Sequence, residues 1–531
     1  MPAEYDAIVI GGGHNGLVNA AYLARAGLKT VLLERRPVLG GASVTEEIIP
    51  GFKFTVFSYV VSLFRPEIIR DLDLAAHGLA ILPLESTLSP LPDGRYLYRG
   101  ADHWENYRNV AAFSRRDADA YDDYSRTMYF MAKAVKFILS QVPPDPASLR
   151  PGDLSGLLHT ARQFLNLEPE HLHTLARLMT MSSADFVGRW FESEPLLGTL
   201  SASGIIGTFM GPRSPGTAYV LLHHYMGEID GAFRAWGFAK GGTGGIAEAI
   251  ASSARALGVE IRTNAGVAHV LTKDGKAQGV ALENGQELHA KVVVSSLDPR
   301  QTFLRFLEPG LLPDEMSADL QRYVYRGSSG KVNLALDAAP DLACLPGPGP
   351  HLRGAISISP SIDYIERAYD EARQGRFARQ PYIDCIVPSM IDPGMAPPGK
   401  HVLSCFVQYF PYDNFGESGT LDEQRAAFGD AVVDTLSQYI PNLKQIIVGR
   451  QVLTPHDIER ITGLSEGNIF QGELSLSQLF FLRPAPGLAQ YRTPVRGYYQ
   501  CGSAAHPGGG ISGAPGRLAA LEVLRREFGK R

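Results

Sequence analysis

Residues 4–41 read EYDAIVIGGGHNGLVNAAYLARAGLKTVLLERRPVLGG, and no other stretch restricts the fold as tightly. Ala7 to Ile10 is a short apolar run of the kind that forms a parallel strand covered on both faces. Gly11, Gly13 and Gly16 follow at the G-x-G-x-x-G spacing, with His14 and Asn15 between the last two. At such a junction the first glycine turns the chain off the strand. The second lets a pyrophosphate approach bare backbone, and the third lets the helix sit close to the strand. Leu17, Ala20, Ala21 and Ala24 recur at helical spacing, Gly27 stops the helix, and Lys29 to Leu33 is a second, mostly apolar run. It ends on Glu34, about twenty positions past the first glycine, where a carboxylate can accept from a ribose hydroxyl. The helix N-terminus offers unpaired N–H groups and a partial positive charge to phosphates. A glycine-rich turn with no ligand is the competing reading, and the strand, helix and acid in their places argue against it.

Beyond Glu34 come Arg35, Arg36, then Gly40-Gly41-Ala42 and Thr45. A second glycine pair is not part of the minimal nicotinamide fingerprint. It resembles the extended FAD signature of the glutathione-reductase-like flavoproteins, in the branch that holds amine oxidases and carotenoid desaturases. In that branch the pair brings backbone against the FAD phosphates and ribityl chain. Arg35 or Arg36 is a cation available to the diphosphate; a solvated surface pair is the other reading.

A chain of 531 residues exceeds one ordinary core, so two domains are expected. Net charge is −5 with no basic tract, which argues against nucleic acid as a partner. The four cysteines, Cys344, Cys385, Cys405 and Cys501, form no C-x-x-C pair, so neither a redox disulfide nor a thiolate metal cluster is indicated. Few cysteines suit a reducing compartment. With the first strand at about residue 5, no signal or transit peptide is expected ahead of it. The expectation is a soluble protein, cytoplasmic in a bacterium, or mitochondrial if a eukaryotic homologue with its transit peptide removed. The apolar run Met128 to Leu139 is broken by Lys133 and Lys136 and falls short of the ~18 residues of a spanning helix. A peripheral membrane contact stays open.

Gly51 to Phe64 is rich in aromatic and β-branched residues and reads either as strand or as pocket wall. Residues 65–235 show no βαβ rhythm; Asp119 to Gln141, Leu154 to Phe164 and Thr174 to Phe191 read as helices of an insertion large enough to cap a substrate. The strand-and-helix pattern returns over Ala239 to Leu297, where a helix Ile246 to Leu257 is followed by strands linked by turns at Asp274-Gly275 and Asn284-Gly285. The cluster Gly241 to Gly245 follows no apolar strand and misses the fingerprint spacing, so it is not a second nucleotide loop. Lys331 to Leu336, Tyr382 to Val387 and His401 to Tyr409 read as an antiparallel sheet, with helices Ile362 to Gln374 and Leu421 to Tyr439. Near the end, a strand over Gly497 to Ser503 leads into AAHPGGGISGAPG and a last helix from Arg517. So many glycines at a loop-to-helix junction imply backbone laid directly on a flat or phosphate-bearing ligand.

Three blocks, 10–45, 237–298 and 497–520, match one family in order. The chain resembles the phytoene desaturase and carotenoid isomerase superfamily of FAD oxidoreductases. Within it, GGGHNGLVNAAYLARAGLKTVLLERRPVLGGA, GTAYVLLHHYMGEIDGAFRAWGFAKGG and CGSAAHPGGGISGAPG look most like the group typified by pyridine nucleotide-disulphide oxidoreductase domain-containing protein 2. That resemblance implies that Glu34 holds the adenosine ribose and that Val267 pairs its backbone with adenine. It places Gly502 and Ser503 at the ribityl phosphate end. The turn Ile511 to Ala514, with Ser512 and Gly513 inside it, opens the last helix and would face the flavin N1–C2=O edge, where a helix N-terminus stabilises the charge of reduced flavin; Gly510 just before it is a further cofactor-binding candidate.

The expected fold is α/β. A discontinuous Rossmann-type, glutathione-reductase-like FAD-binding domain (residues 1–70, 236–310 and 490–531) is joined to an α+β substrate domain with an antiparallel sheet and helical cap (71–235 and 311–489). The expected activity is hydride transfer to flavin N5 from a small lipophilic, isoprenoid- or polyene-like substrate, as in a desaturase, dehydrogenase or isomerase. His506 is the candidate proton acceptor, against a purely structural role for a histidine before Pro-Gly. His223 and His224, read as neighbours on a strand, point apart and make no metal site. Trp236 and Tyr225 are candidates for a substrate channel. An amine or amino-acid oxidase on the same fold, and a flavin-stabilised interaction protein with little turnover, are the alternatives.

Overall fold

The computed structural model describes residues 4–165, 167–229, 231–233 and 235–530. Its first sheet gathers distant parts of the chain. Strands β1 (Tyr5–Ile10) and β2 (Thr30–Leu33) are followed, far along the sequence, by β3 (Glu260–Arg262), β4 (Val267–Lys273), β5 (Lys276–Leu282), β6 (Glu287–Ser295) and β7 (Tyr498–Gln500). The order is β3–β2–β1–β6–β5–β4, with β7 also on β6. Strands β3, β2, β1 and β6 run parallel, as does β7 against the last three residues of β6. The first part of β6 pairs antiparallel with β5, and β5 with β4. One nine-residue strand thus serves two partners on the same side, and every strand except β3 and β4 is largely buried.

Helices α1 (His14–Arg25), α2 (Gly244–Ala256) and α3 (Ala514–Glu527) cover one face, with α1 between the other two. Asn19 Nδ2 donates to the Gly516 carbonyl at 2.9 Å, which lets α1 and α3 approach backbone to backbone. The glycine cluster before α2 has a packing role: the Gly244 N–H donates to Thr45 Oγ1 at 3.0 Å.

The second sheet has seven strands in the order Ile447–Leu453, Ser329–Leu336, His401–Gln408, Tyr382–Ile386, Ala355–Ile358, Thr87–Pro90, Tyr96–Arg99. All neighbours are antiparallel except Ala355–Ile358 with Thr87–Pro90. The stretch read as purely helical therefore gives two strands to this sheet. They are four residues each and lie beside Pro90 and Pro92, which sheets tolerate near an edge and which hides strand periodicity.

Two further expectations are corrected. The helix expected over Thr174 to Phe191 is two, Pro169–Thr180 and Ser183–Val187. Ser182 breaks it by accepting from the Asp185 N–H, so the S-x-x-D pattern is a new N-cap. His223 and His224 lie on a helix, Thr217–Tyr225, every residue of which is buried. With no polar face there is no period for the sequence to display. Among the described residues no helix is long and apolar enough to cross a membrane.

Candidate functional site

At the end of β1 the three fingerprint glycines do different work. A Cβ on Gly16 would stand 2.1 Å from the Gly11 carbonyl oxygen, so close strand–helix contact forbids a side chain there. A Cβ on Gly13 would meet nothing within 4 Å. Protein packing does not require that glycine; the space beside it is available to a ligand. Gly40 donates its N–H to the Gly12 carbonyl at 2.8 Å and bridges to Gly13, and Gly41 lies against the Gly13 Cα. The two glycine pairs form one bare-backbone cradle.

Glu34 is buried, its Oε2 accepting from the Gly12 N–H at 2.7 Å and its Oε1 from the Arg36 N–H at 2.8 Å. Each oxygen keeps a lone pair for a hydroxyl. The Ala265 N–H donates to the Glu34 carbonyl, which brings Val267, at the start of β4, to the same end of the sheet. The two arginines separate. Arg35 is spent on the Ile461 carbonyl at 2.9 Å, at the C-terminus of the helix Pro455–Thr462. Arg36 pairs with Glu46 at 2.8 Å but keeps a buried Nη1 without a partner. His14 Nε2 and Asn15 Oδ1 are also buried and unpartnered. Asn15 Nδ2 donates to Ser503 Oγ at 3.1 Å and ties this loop to the C-terminal one. Open space at Gly13, an acid at the ribose distance and three orphaned polar atoms along one path fit a dinucleotide.

The path leads into a cavity enclosing about 980 Å³ of space between atoms. His14, Ala42 and Ser43 line it on one side, and Ser503, Gly510 and Ile511 on another. Gly502 is next to this wall, pressed on the Ser296 carbonyl. The Ser512 carbonyl accepts from the Arg65 N–H, and Gly513 caps α3 beside Phe64 and Ile68, so both shape the wall from behind. The stretch from Phe57 to Leu63 contributes too: the segment left between strand and pocket is both, a strand at Phe52–Thr55 and then cavity wall. Trp236 lines the cavity, stacked on His224 with ring centres 6.0 Å apart. Tyr225 does not; its hydroxyl meets that of Tyr124.

His506 is a correction. Its ring is fully buried outside the cavity lining, and burial pushes its pKa down to about 3. Its carbonyl accepts from the Tyr491 hydroxyl at 2.8 Å. A histidine so placed shapes the loop and does not reach a substrate's proton.

Sequence reasoning missed the opposite wall. The register of the second sheet sets Lys331, Phe406 and Asp384 in one row across three strands. Tyr59 lies over that row. It stacks on Phe406 at 5.9 Å, donates to Asp384 Oδ2 at 2.5 Å, and has Lys331 Nζ 5.3 Å from its ring centre. Lys331 is 2% exposed; Nζ donates to Ser404 Oγ at 2.5 Å, and Ser404 in turn donates to Asn333 Oδ1. Burial brings the Lys331 pKa down to about 7 and pushes that of Asp384 up to about 6. A lysine with an asparagine two positions on, in a strand whose other members are apolar or small, was the available signal. In sequence, Lys331 and Asn333 alternate with apolar neighbours and read as the polar face of a half-exposed strand.

The chain matches the family profile described as flavin containing amine oxidoreductase over residues 16–520. It is 41% identical over 551 residues to rat pyridine nucleotide-disulfide oxidoreductase domain-containing protein 2, covering 99% of this chain and 94% of that one. It is 26% identical over 545 residues to a limonene dehydrogenase component of Castellaniella defragrans, covering 98% and 95%. Among solved structures, wild-type putrescine oxidase bound to putrescine superposes with a TM-score of 0.60 at 17% identity, over 98% of this chain and 99% of that one. At that identity the likeness is one of fold.

Proposed function

Because this chain belongs to the flavin containing amine oxidoreductase family and is an FAD-dependent oxidoreductase, we propose that it oxidises or isomerises a small neutral, lipophilic substrate in the cavity under the Lys331–Phe406–Asp384 row. One observation carries the choice of substrate class: among the described residues, no Asp or Glu lines the cavity. A protonated amine there would find no counter-charge and would meet Lys331 instead. Limonene in the name of one relative is consistent with an isoprenoid substrate. The putrescine oxidase fold keeps the amine alternative in view, and the Tyr59–Phe406 stack is the feature that would serve it.

Residues 1–70, 236–310 and 490–531 form the cofactor-binding part in this reading. Gly13, Gly40 and Gly41 would hold the diphosphate, Glu34 the ribose and Arg36 the phosphates, and Ser503, Gly510 and Ile511 would take the ring end. FAD, when bound, supplies the hydride acceptor. The rest falls to the chain. Phe57 to Leu63, Phe406 and Trp236 exclude water and hold an apolar body in place. Lys331, near half neutralised at neutral pH, can take a proton at Nζ and pass it to Ser404. Access from a membrane surface belongs to the same proposal. The helix Pro151–Leu165 buries none of its side chains and exposes Leu154, Leu158 and Leu165, and liposome flotation of the purified protein tests it.

The main test is anaerobic mixing of the flavin-loaded protein with isoprenoid alcohols, polyenes, quinols and fatty acyl compounds, while the flavin absorbance near ~450 nm is followed. Bleaching by one of these classes is expected. Bleaching by amines alone, with peroxide formed in air, would give the site to the alternative. FAD that resists reduction by every compound would favour an interaction protein.

A further inference from the structure

Behind the Gly508–Gly510 loop, separated from the main cavity by Leu63, lies a second and smaller space, about 300 Å³ between atoms with its opening to solvent included. Leu139 and Met226 close it with apolar surface, and Arg65, His223 and Ser512 are its polar walls. Arg65 is 7% exposed and lines the space; among the described residues its guanidinium has neither a hydrogen-bond nor an ion-pair partner, and only burial and distant charges act on it. The contrast with Arg483 is direct. That guanidinium is fully buried too, but it donates to the carbonyls of Glu473, Gln478, Phe470, Gly472 and Ser503.

Arg65 cannot shed its charge as a lysine does. Burial works against the charged form, and the acids nearest in effect, Glu67 and Glu228, act from a distance. Glu228 is already held by Lys136 at 2.6 Å. A cation held away from bulk water without a partner is strongly disfavoured, and the N–H donors of a guanidinium are left unused beside the space. His223 adds no competing charge. Burial holds its pKa down at about 3, and Nε2 lies 3.1 Å from the Gly509 carbonyl, which fixes the proton on that nitrogen and leaves Nδ1 as a bare acceptor.

We propose that the pocket behind the Gly508–Gly510 loop is a binding site for a small monovalent anion, a halide or a short carboxylate, paired with the Arg65 guanidinium. The room left for an occupant, about 20 Å³, is close to that of one water molecule and fits a single halide more closely than a carboxylate. The site is a joint: the Arg65 N–H holds the Ser512 carbonyl at 3.1 Å, and Gly508 and Gly509 line the space directly. An anion there ties the segment 63–65 to the loop that closes on the cofactor, so occupancy slows cofactor loss.

The test uses flavin-loaded protein exchanged into gluconate buffer, then titrated separately with chloride, acetate and bicarbonate at constant ionic strength. Melting temperature and release of fluorescent FAD are read together. The expected result is a saturable rise of several degrees, with FAD release slowed several-fold, for at least one anion, and loss of that response in Arg65→Gln. The ranking of the three separates a halide site from a carboxylate site. An equal response in Arg65→Gln, or none in the unaltered protein, overturns the proposal. If Arg65→Gln does not fold, crystals of the unaltered protein soaked in bromide decide. An anomalous peak within hydrogen-bonding reach of Arg65 supports the site, and its absence, with no acetate or bicarbonate density in parallel soaks, refutes it.

Discussion

Replacing Lys331 with methionine should make the protein more stable and less active at once. The amine is 2% exposed and its pKa falls from 10.5 to about 7 because burial disfavours the charged form. Between those two values the unfolded chain binds the proton and the folded one does not, so stability rises with pH across the window from about 7 to 10.5. Below the lower value the full cost applies, and above the upper one there is none. The gap corresponds to about 5 kcal/mol, and at pH 7 about 4 kcal/mol of it is felt. Methionine fills the same volume with no charge. It forfeits the bond to Ser404, worth ~1.5–3 kcal/mol as a charged hydrogen bond. The net expectation is a gain of roughly 1–3 kcal/mol at pH 7 with a flattened pH slope up to 10.5. Urea unfolding of the flavin-loaded variant at several pH values reads both quantities. Substrate-driven flavin reduction should fall by ~10²–10⁴, the usual range for a lost proton acceptor. In the unaltered protein that rate should decline as pH drops below about 7 and Nζ is protonated. A variant that is less stable at pH 7 and keeps the original pH slope would refute the reasoning, because Lys331 would then be charged and satisfied in the fold.

Gly13→Ala should fold and melt like the unaltered apoprotein yet purify without FAD, whereas Gly16→Ala, whose Cβ would sit 2.1 Å from the Gly11 carbonyl oxygen, should fail to fold; flavin content and circular dichroism separate them. Arg36→Gln should weaken FAD binding by about tenfold, the value of one charge-assisted hydrogen bond, while Arg35→Gln, already engaged with Ile461, should leave it unchanged in fluorescence titration. Arg483→Met strands five carbonyl groups and should cost more than about 4 kcal/mol by denaturant unfolding.

The first strand–helix–strand unit of the molecule was legible because its signals are local. A strand, three glycines, a helix and an acid follow each other within about thirty residues, and each has one physical reason to be there. The last glycine-rich loop was legible for the same cause. What escaped is what depends on register. Lys331, Phe406 and Asp384 are far apart in sequence and become a row only when three strands align. Tyr59 joins them from a distant segment of the chain, and no spacing rule connects it to Asp384. His506 failed as a candidate because adjacency to a cofactor loop in sequence says nothing of which way a ring points. The strands at 87–99 were hidden by their prolines, and Arg65 was hidden because a guanidinium looks solvated until the fold surrounds it.

The nine-residue strand β6 waits for its last neighbour until residue 498 has been made. Ribosomes add roughly 5–20 residues each second and domains tend to fold as they emerge, but here the proposed seat for the prosthetic group joins segments 488 residues apart, with Asn15 reaching Ser503. Loading with flavin is therefore a late event in biosynthesis. A chain cut short before residue 498 would lack both the last neighbour of β6 and the partner of Asn15, and would leave the ribosome open to proteolysis.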